Sequence, residues 1–115
     1  MDNTMINVLE IADTAIYVRN FSITPGSRYI DEGPHSGQEF REKFLQPEFE
    51  KTINSDSKIT INLDGTIGFG TSWLEEVFGG LARTFDKNLV MEKLEFISKE
   101  EDYLIEDIQH YILNA

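Results

Sequence analysis

Two adjacent hydroxyl side chains, Thr71 and Ser72, are the residues of this sequence best placed to carry chemistry. They follow an apolar strand-like run, Ile59 to Leu63, then Asp64 and a loop that contains three glycines. They also open a segment with helical periodicity, and the start of a helix offers backbone N–H groups that can hold a phosphate. The pair is therefore a candidate phosphoacceptor or partner contact, although helix capping alone also explains a hydroxyl at this position.

The loop before the hydroxyl pair contains Gly65, Gly68 and Gly70, and glycine-rich loops between a strand and a helix can cradle phosphates. The spacing is G-x-x-G-x-G, which reverses the order of the dinucleotide-binding fingerprint, and no Gly-Lys-Ser/Thr sequence follows. We therefore interpret the glycines as residues that permit a tight turn, and we expect no cofactor.

The remaining reactive residues do not form a catalytic or metal-binding pattern. His35 and His110 have no helical histidine or glutamate partner at metal-ligand spacing, and cysteine is absent. Ser36 and Ser72 lie outside the G-x-S-x-G context of a nucleophile elbow. The sequence therefore predicts no catalytic residue and no metal site, and we expect a protein that is not an enzyme.

One further group of polar residues, Arg28, Tyr29, Asp31 and His35, lies in a segment punctuated by proline and glycine. Arg28 could hold an anion there, although an exposed loop arginine is the commoner situation. A small-ligand site in this loop is kept as an alternative.

The composition is strongly acidic, with 21 acidic residues, 10 basic residues and a net charge of -11. This charge disfavours binding to nucleic acids and anionic membranes, because both require cationic patches on the protein. It suits either simple solubility or docking on a basic partner. The length of 115 residues predicts one domain over 1–115, and the lack of cysteine, signal peptide and apolar span favours the cytoplasm.

Runs of apolar and β-branched residues predict the strands. The clearest strand is expected to be central, because Ile59, Ile61 and Leu63 would share one of its faces. The first two strands are expected to pair antiparallel at an edge. The predicted strands are 5–11, 15–23, 58–64 and 89–97, the last of them strongest at 94–98.

A Ser-x-x-Glu capping box at Ser36 and Glu39 predicts the start of a first helix. Pro47 lies within its apolar pattern, so we expect either a kink or two abutting helices with Pro47 at the start of the second. The apolar residues of this helix are expected to be Phe40, Phe44, Leu45, Phe49 and Ile53.

A second helix is predicted over 71–85, with a wide apolar stripe and with Glu75, Glu76 and Arg83 on its outer side. Ser72 and Glu75 form a second capping box.

Gly79 and Gly80 lie in the middle of this second helix and cost about 2 kcal/mol of helix propensity relative to two alanines. Such a cost suggests the close approach of a backbone or a partner. A terminal helix is predicted over 101–114, with a third capping box at Ser98 and Glu101. Strands and helices alternate after the first capping box, which is typical of an α/β domain.

Two sequence blocks resemble a known family. The runs RYIDEGPHSGQEFREKFLQPEFE and INLDGTIGFGTSWLEEVFGGL, within 28–81, are similar to the STAS-like family of unknown function in both content and spacing. The resemblance implies an α/β fold related to anti-sigma-factor antagonists, with a mixed sheet of four to five strands covered by helices. It also implies a non-enzymatic signalling module whose partner is a histidine-kinase-like ATPase, which is often encoded beside or fused to such domains.

In the wider group, a serine or threonine at the start of the second helix is phosphorylated and switches partner binding. Aligned on Leu74, this phosphoacceptor corresponds to Thr71, and Ser72 matches the hydroxyl that follows. The sequence departs from the wider motif at Gly70, where an aspartate is usual, and at Trp73, where a glycine is usual.

The resemblance and the residue patterns together predict a partner-binding surface on the glycine loop and the exposed side of the second helix. A structural or dimerisation module that uses Gly79 and Gly80 for close packing is the alternative. The predicted partner-binding residues are Asp64, Gly65, Gly68, Gly70, Glu75, Glu76, Gly79 and Arg83.

Overall fold

The computed structural model describes residues 14–115, and these contain a three-stranded parallel sheet. The strands are β1 (Thr14–Tyr17), β2 (Ile59–Asn62) and β3 (Leu94–Ile97), in the spatial order β1-β2-β3. Both pairings are parallel, and Ile61 lies opposite Ile16 on one side and Phe96 on the other. The clearest predicted strand is therefore central, as expected.

The sheet differs from the prediction in strand number and direction. Over 14–115 it has three strands, all parallel, rather than four to five in a mixed arrangement. The strand predicted at 5–11, and with it the antiparallel edge pair, lies outside the described residues. The strand predicted at 15–23 ends early, because the chain turns into a 3-10 helix at Val18–Asn20 that buries Val18 in the core.

The central strand alternates as its sequence predicts. Ile59 and Ile61 are fully buried, whereas Thr60 and Asn62 on the other face are partly exposed. The buried face joins one continuous hydrophobic core with the apolar side chains of the helices. Leu63, which directly follows β2, belongs to the same core.

Helix α1 (residues 37–52) is continuous but contains one wide turn. It runs through an α-helical segment (Gly37–Phe40), a π-helical segment (Arg41–Leu45) and a second α-helical segment (Gln46–Thr52). Pro47 is the second residue of the last segment, directly after the wide turn, so the helix accommodates the proline without ending. The predicted capping residue is confirmed, since Ser36 Oγ accepts a hydrogen bond from the Glu39 amide at 3.0 Å.

Helix α2 (residues 71–84) also contains a π-helical segment. Its three parts are Thr71–Leu74, the π-helical Glu75–Gly79 and Gly80–Thr84. The predicted apolar stripe is confirmed, and its fully or nearly fully buried members are Trp73, Leu74, Val77, Phe78 and Leu81. The predicted capping box at Ser72 is wrong, because Gly70 is the N-cap and Ser72 already lies within the helix.

A short 3-10 helix lies at Ile30–Glu32, and two shorter α-helices follow α2. Helix α3 (Lys87–Lys93) occupies half of the strand predicted at 89–97, and its N-cap Asp86 accepts a hydrogen bond from the Leu89 amide at 3.1 Å. Helix α4 (Tyr103–Leu113) buries Leu104, Ile108 and Ile112 at four-residue steps.

The third predicted capping box does not form. Ser98 Oγ instead donates to the Glu101 carbonyl at 2.7 Å, and α4 begins two residues later than Glu101. None of the helices in 14–115 has the length and apolar character needed to cross a membrane.

Candidate functional site

Thr71 and Ser72 are both exposed at the start of α2. They follow the loop that leaves the carboxyl end of β2, as the sequence predicts. Because Gly70 is the N-cap, the two hydroxyls occupy the first and second helical positions, where capping does not explain them. The structure thus places an accessible hydroxyl pair beside the backbone amides of a helix start.

The first half of the glycine loop is tied to the turn before α4. The Glu100 amide donates to Asp64 Oδ1 at 3.0 Å, and the Gly65 amide donates to Glu100 Oε1 at 2.8 Å. Gly65 has a φ of 90°, a conformation that suits glycine and explains its presence. The Asp64 carboxylate therefore holds the loop in place, rather than standing free for a partner.

The second half of the loop is joined to the segment after β1. The Ile67 amide donates to the Ile23 carbonyl at 2.7 Å, and the Gly70 amide donates to the Pro25 carbonyl at 2.8 Å. A Cβ on Gly70 would lie 2.9 Å from the Gly26 carbonyl oxygen, so this backbone approach requires glycine. A Cβ on Gly68 would meet nothing within 4 Å, so Gly68 has no such constraint.

These contacts hold two isoleucines in solvent. Ile67 is 79% exposed and Ile23 is 53% exposed, and the backbone hydrogen bond between them makes them neighbours. We call this pair the isoleucine tip. The pair is not among the predicted site residues, although an isoleucine between glycines, outside any helical or strand period, is a signal for it in the sequence.

Glu75 lies between two arginines. Arg28 Nη1 donates to its Oε1 at 2.8 Å, and Arg83 Nη1 donates to its Oε2 at 2.6 Å. The hydrogen bond from Arg83, followed by that from Arg28, lowers the pKa of Glu75 despite partial burial. Glu75 and Arg83, which were predicted to contact a partner from the outer side of α2, therefore form an ion pair with each other.

The prediction that Glu76 lies on the outer side of α2 is wrong, because Glu76 is only 6% exposed. Arg41 Nη2 donates to its Oε2 at 2.7 Å, and Arg28 Nη1 donates to its Oε1 at 3.3 Å. Arg41 Nε also donates to the Glu76 backbone carbonyl at 3.1 Å. Glu76 thus joins α2 to α1 and does not face a partner, contrary to the sequence expectation.

The two glycines of α2 make room for these ion pairs. Gly79 and Gly80 are buried, and a Cβ on Gly79 would collide with the Glu75 carboxylate. A Cβ on Gly80 would lie 2.7 Å from Arg41 Nε. The atoms that approach these glycines are side-chain atoms of the same chain, and not the backbone or partner predicted from their helix cost, so neither glycine presents a surface for a partner or a second copy.

A comparison of the sequence with models of known protein families assigns the chain to one of them. The model of the STAS-like domain of unknown function matches residues 36–104, which is more than half of the chain. The chain belongs to this family. The matched region of this STAS-like domain includes the glycine loop, the hydroxyl pair and all of α1 and α2. No curated protein matches the chain, and no solved structure does.

The loop from Arg28 to His35, considered as a small-ligand site, makes contacts with α2 of this STAS-like domain. Arg28 is bound to the two glutamates of α2, and the His35 carbonyl accepts a hydrogen bond from Trp73 Nε1 at 3.1 Å. His110 lies apart, in α4. Within 14–115 no group of three histidine or acidic side chains is arranged to hold a metal ion.

A groove of about 630 Å³ lies between β1 and α1 of the STAS-like domain. Ile16, Tyr17, Phe40 and Phe44 contribute to its walls, together with Pro47. His35, from the loop considered as a small-ligand site, also lines it, whereas Thr71 and Ser72 do not. The hydroxyl pair therefore belongs to an exposed surface and not to a cleft, which suits contact with another protein better than enclosure of a small molecule.

Proposed function

We propose that this STAS-like domain is a non-enzymatic signalling adaptor of the cytoplasm that docks on a histidine-kinase-like ATPase. The contact surface comprises the glycine loop, the isoleucine tip and the exposed start of α2, with Thr71 or Ser72 as the switch. The observation that carries the proposal is that both hydroxyls are exposed at a helix start where Gly70 already serves as the cap. A hydroxyl pair without a structural task is available for modification.

The isoleucine tip supplies the docking energy in this proposal. Exposed aliphatic side chains on a loop held by backbone hydrogen bonds lose little conformational entropy when a partner covers them. The net charge of -11 opposes the association of two copies of the chain, since like charges repel.

The switch follows from the charge that a phosphoryl group adds. Transfer moves the γ-phosphoryl group of ATP onto the hydroxyl oxygen of Thr71 or Ser72, and ADP and the hydroxyl proton leave. The product carries about -1.5 to -2 additional charge at neutral pH. Placed within the docking surface, this charge adds a hydration shell that the partner must displace, and binding weakens.

The proposal is tested with the histidine-kinase-like ATPase encoded beside this domain or fused to it. The domain is incubated with the purified ATPase and ATP, its intact mass is measured, and co-elution is followed by size-exclusion chromatography. Wild type is expected to gain one phosphoryl group, and Thr71→Ala or Ser72→Ala is expected to lose it. Thr84→Ala, which removes a hydroxyl at the other end of α2, is the matched control and is expected to behave as wild type.

The two parts of the proposal fail separately. Co-elution without a mass change would leave docking in place and remove the switch. An unchanged mass together with separate elution would remove both parts.

A further inference from the structure

The ion pairs of α2 contain one more cation than anion. Arg28, Arg41 and Arg83 surround the carboxylates of Glu75 and Glu76, and we call these five residues the arginine–glutamate cluster. Glu75 keeps Arg83, and Glu76 keeps Arg41, if Arg28 is withdrawn. Arg28 is therefore the arginine that both carboxylates share, and each carboxylate keeps an arginine of its own when Arg28 is withdrawn.

Arg28 contacts side chains that lie one helical turn from Ser72. Its Nη1 donates to Glu75 and Glu76, which follow Ser72 by three and four residues. Side chains at these spacings are neighbours on a helix surface, with Cβ atoms about 5–6 Å apart. The backbone agrees with this placement, because the Gly70 amide binds the Pro25 carbonyl just before the chain reaches Arg28.

We propose that Arg28 is the residue that receives a phosphoryl group on Ser72. This inference rests on the proposed function for the modification itself and adds the response of the domain to it. A phosphate carries more charge than a carboxylate and takes two parallel hydrogen bonds from one guanidinium, so it competes with the glutamates for Arg28. The glutamates stay neutralised by their remaining arginines, which removes the repulsion that they would otherwise exert on the phosphate.

The test needs no kinase. Phosphoserine is incorporated at position 72 during translation, and the second phosphate pKa is followed by ³¹P NMR titration. In the wild-type background this pKa is expected to lie below the value of about 6 for free phosphoserine. Arg28→Gln is expected to raise it by about one unit, because the nearest guanidinium is lost. The control Lys51→Gln, which removes an exposed cation on α1, is expected to leave it unchanged.

A second measurement covers the case in which Arg28→Gln does not fold. In the otherwise wild-type chain, the side-chain Nε–H resonance of Arg28 is compared with serine and with phosphoserine at position 72, and a shift is expected. Equal phosphate pKa values in wild type and Arg28→Gln, or an unmoved Arg28 resonance, would overturn the assignment. A failure of the ATPase to modify the chain would count against the proposed function alone, since this titration is independent of it.

Discussion

Glu76 carries a carboxylate that is buried between the guanidinium groups of Arg28 and Arg41. Burial of a carboxylate is tolerable only when hydrogen-bonded cations replace its water. The sequence gives no local sign of this arrangement, because Arg41 is 35 residues away and meets Glu76 only after α1 and α2 have packed.

Glu76→Ala is expected to destabilise the domain by about 3 kcal/mol, because it leaves the Arg41 guanidinium partly buried without its carboxylate. The measurement is urea unfolding followed by circular dichroism. Glu106→Ala, at an exposed position of α4, is the control and is expected to change the free energy of unfolding by less than about 0.5 kcal/mol. Similar losses for both variants would show that the cluster does not stabilise the fold.

Glu75 makes stability depend on pH in a defined direction. Its pKa in the folded chain is lowered from an ordinary value of 4.5 by Arg83 and Arg28. Its contribution is therefore present above pH 4.5 and is lost as the pH falls through the lower folded-state pKa. The difference in unfolding free energy between wild type and Glu75→Gln is expected to be constant from pH 7 to 5.5 and to shrink below 4.5. Urea titrations at each pH measure it, and a difference that grows with acid would contradict the assignment.

At the scale of elements, both long helices contain a π-helical turn, and the arginine–glutamate cluster connects the two turns. Arg41 begins the wide turn of α1, and Glu76 lies in that of α2. Gly79 and Gly80 leave space beside these side chains. The apparent helix-breaking glycines are therefore part of the packing between the helices.

Gly80→Ala is expected to destabilise the domain by about 1–2 kcal/mol, although alanine favours helix by about 1 kcal/mol. The added Cβ would lie 2.7 Å from Arg41 Nε and displace it from Glu76. Thermal unfolding of Gly80→Ala and of wild type measures the difference in stability. Gly68→Ala, where the new Cβ meets nothing within 4 Å, is the matched control and is expected to be close to neutral. A stabilised Gly80→Ala would mean that the glycine is not required by Arg41.

The strands and helices with clear apolar periodicity could be predicted from the sequence. The other features depend on contacts between residues that are far apart in the chain or on capping. Alternation at Ile59 and Ile61 located β2, and the apolar stripe located α2. Helix α3 was missed because Leu89, Val90 and Met91 resemble a strand, while the cap at Asp86 was the only opposing signal. The hydroxyl pair was predictable from its place after the glycine loop, whereas the isoleucine tip depended on a backbone pairing far apart in sequence.

At the scale of the whole molecule, a strongly acidic STAS-like domain presents an apolar tip in the loop that leads to two exposed hydroxyls. Under the proposed function, the charge opposes self-association and the tip offers a partner a local contact. Docking and its control by phosphate would then share the surface formed by the glycine loop and the start of α2. The large groove between β1 and α1 lies outside this surface.

Ile67→Ser is expected to weaken ATPase binding by about tenfold or more without loss of stability, because the side chain is 79% exposed in the free domain. Isothermal titration calorimetry measures the affinity, and thermal unfolding checks the fold. Leu113→Ser makes a comparable change at an exposed leucine at the end of α4 and is expected to bind as wild type. Equal binding by Ile67→Ser and wild type would exclude the isoleucine tip from the contact.

The central claim is that phosphate at the start of α2 controls docking on the ATPase. Its most direct measurement is the Kd of the purified ATPase for the unmodified chain and for the chain with phosphoserine at position 72, determined under the same conditions. The account predicts measurable binding of the unmodified chain and at least about tenfold weaker binding of the phosphorylated chain. Equal affinities, or no binding by either form, would contradict it.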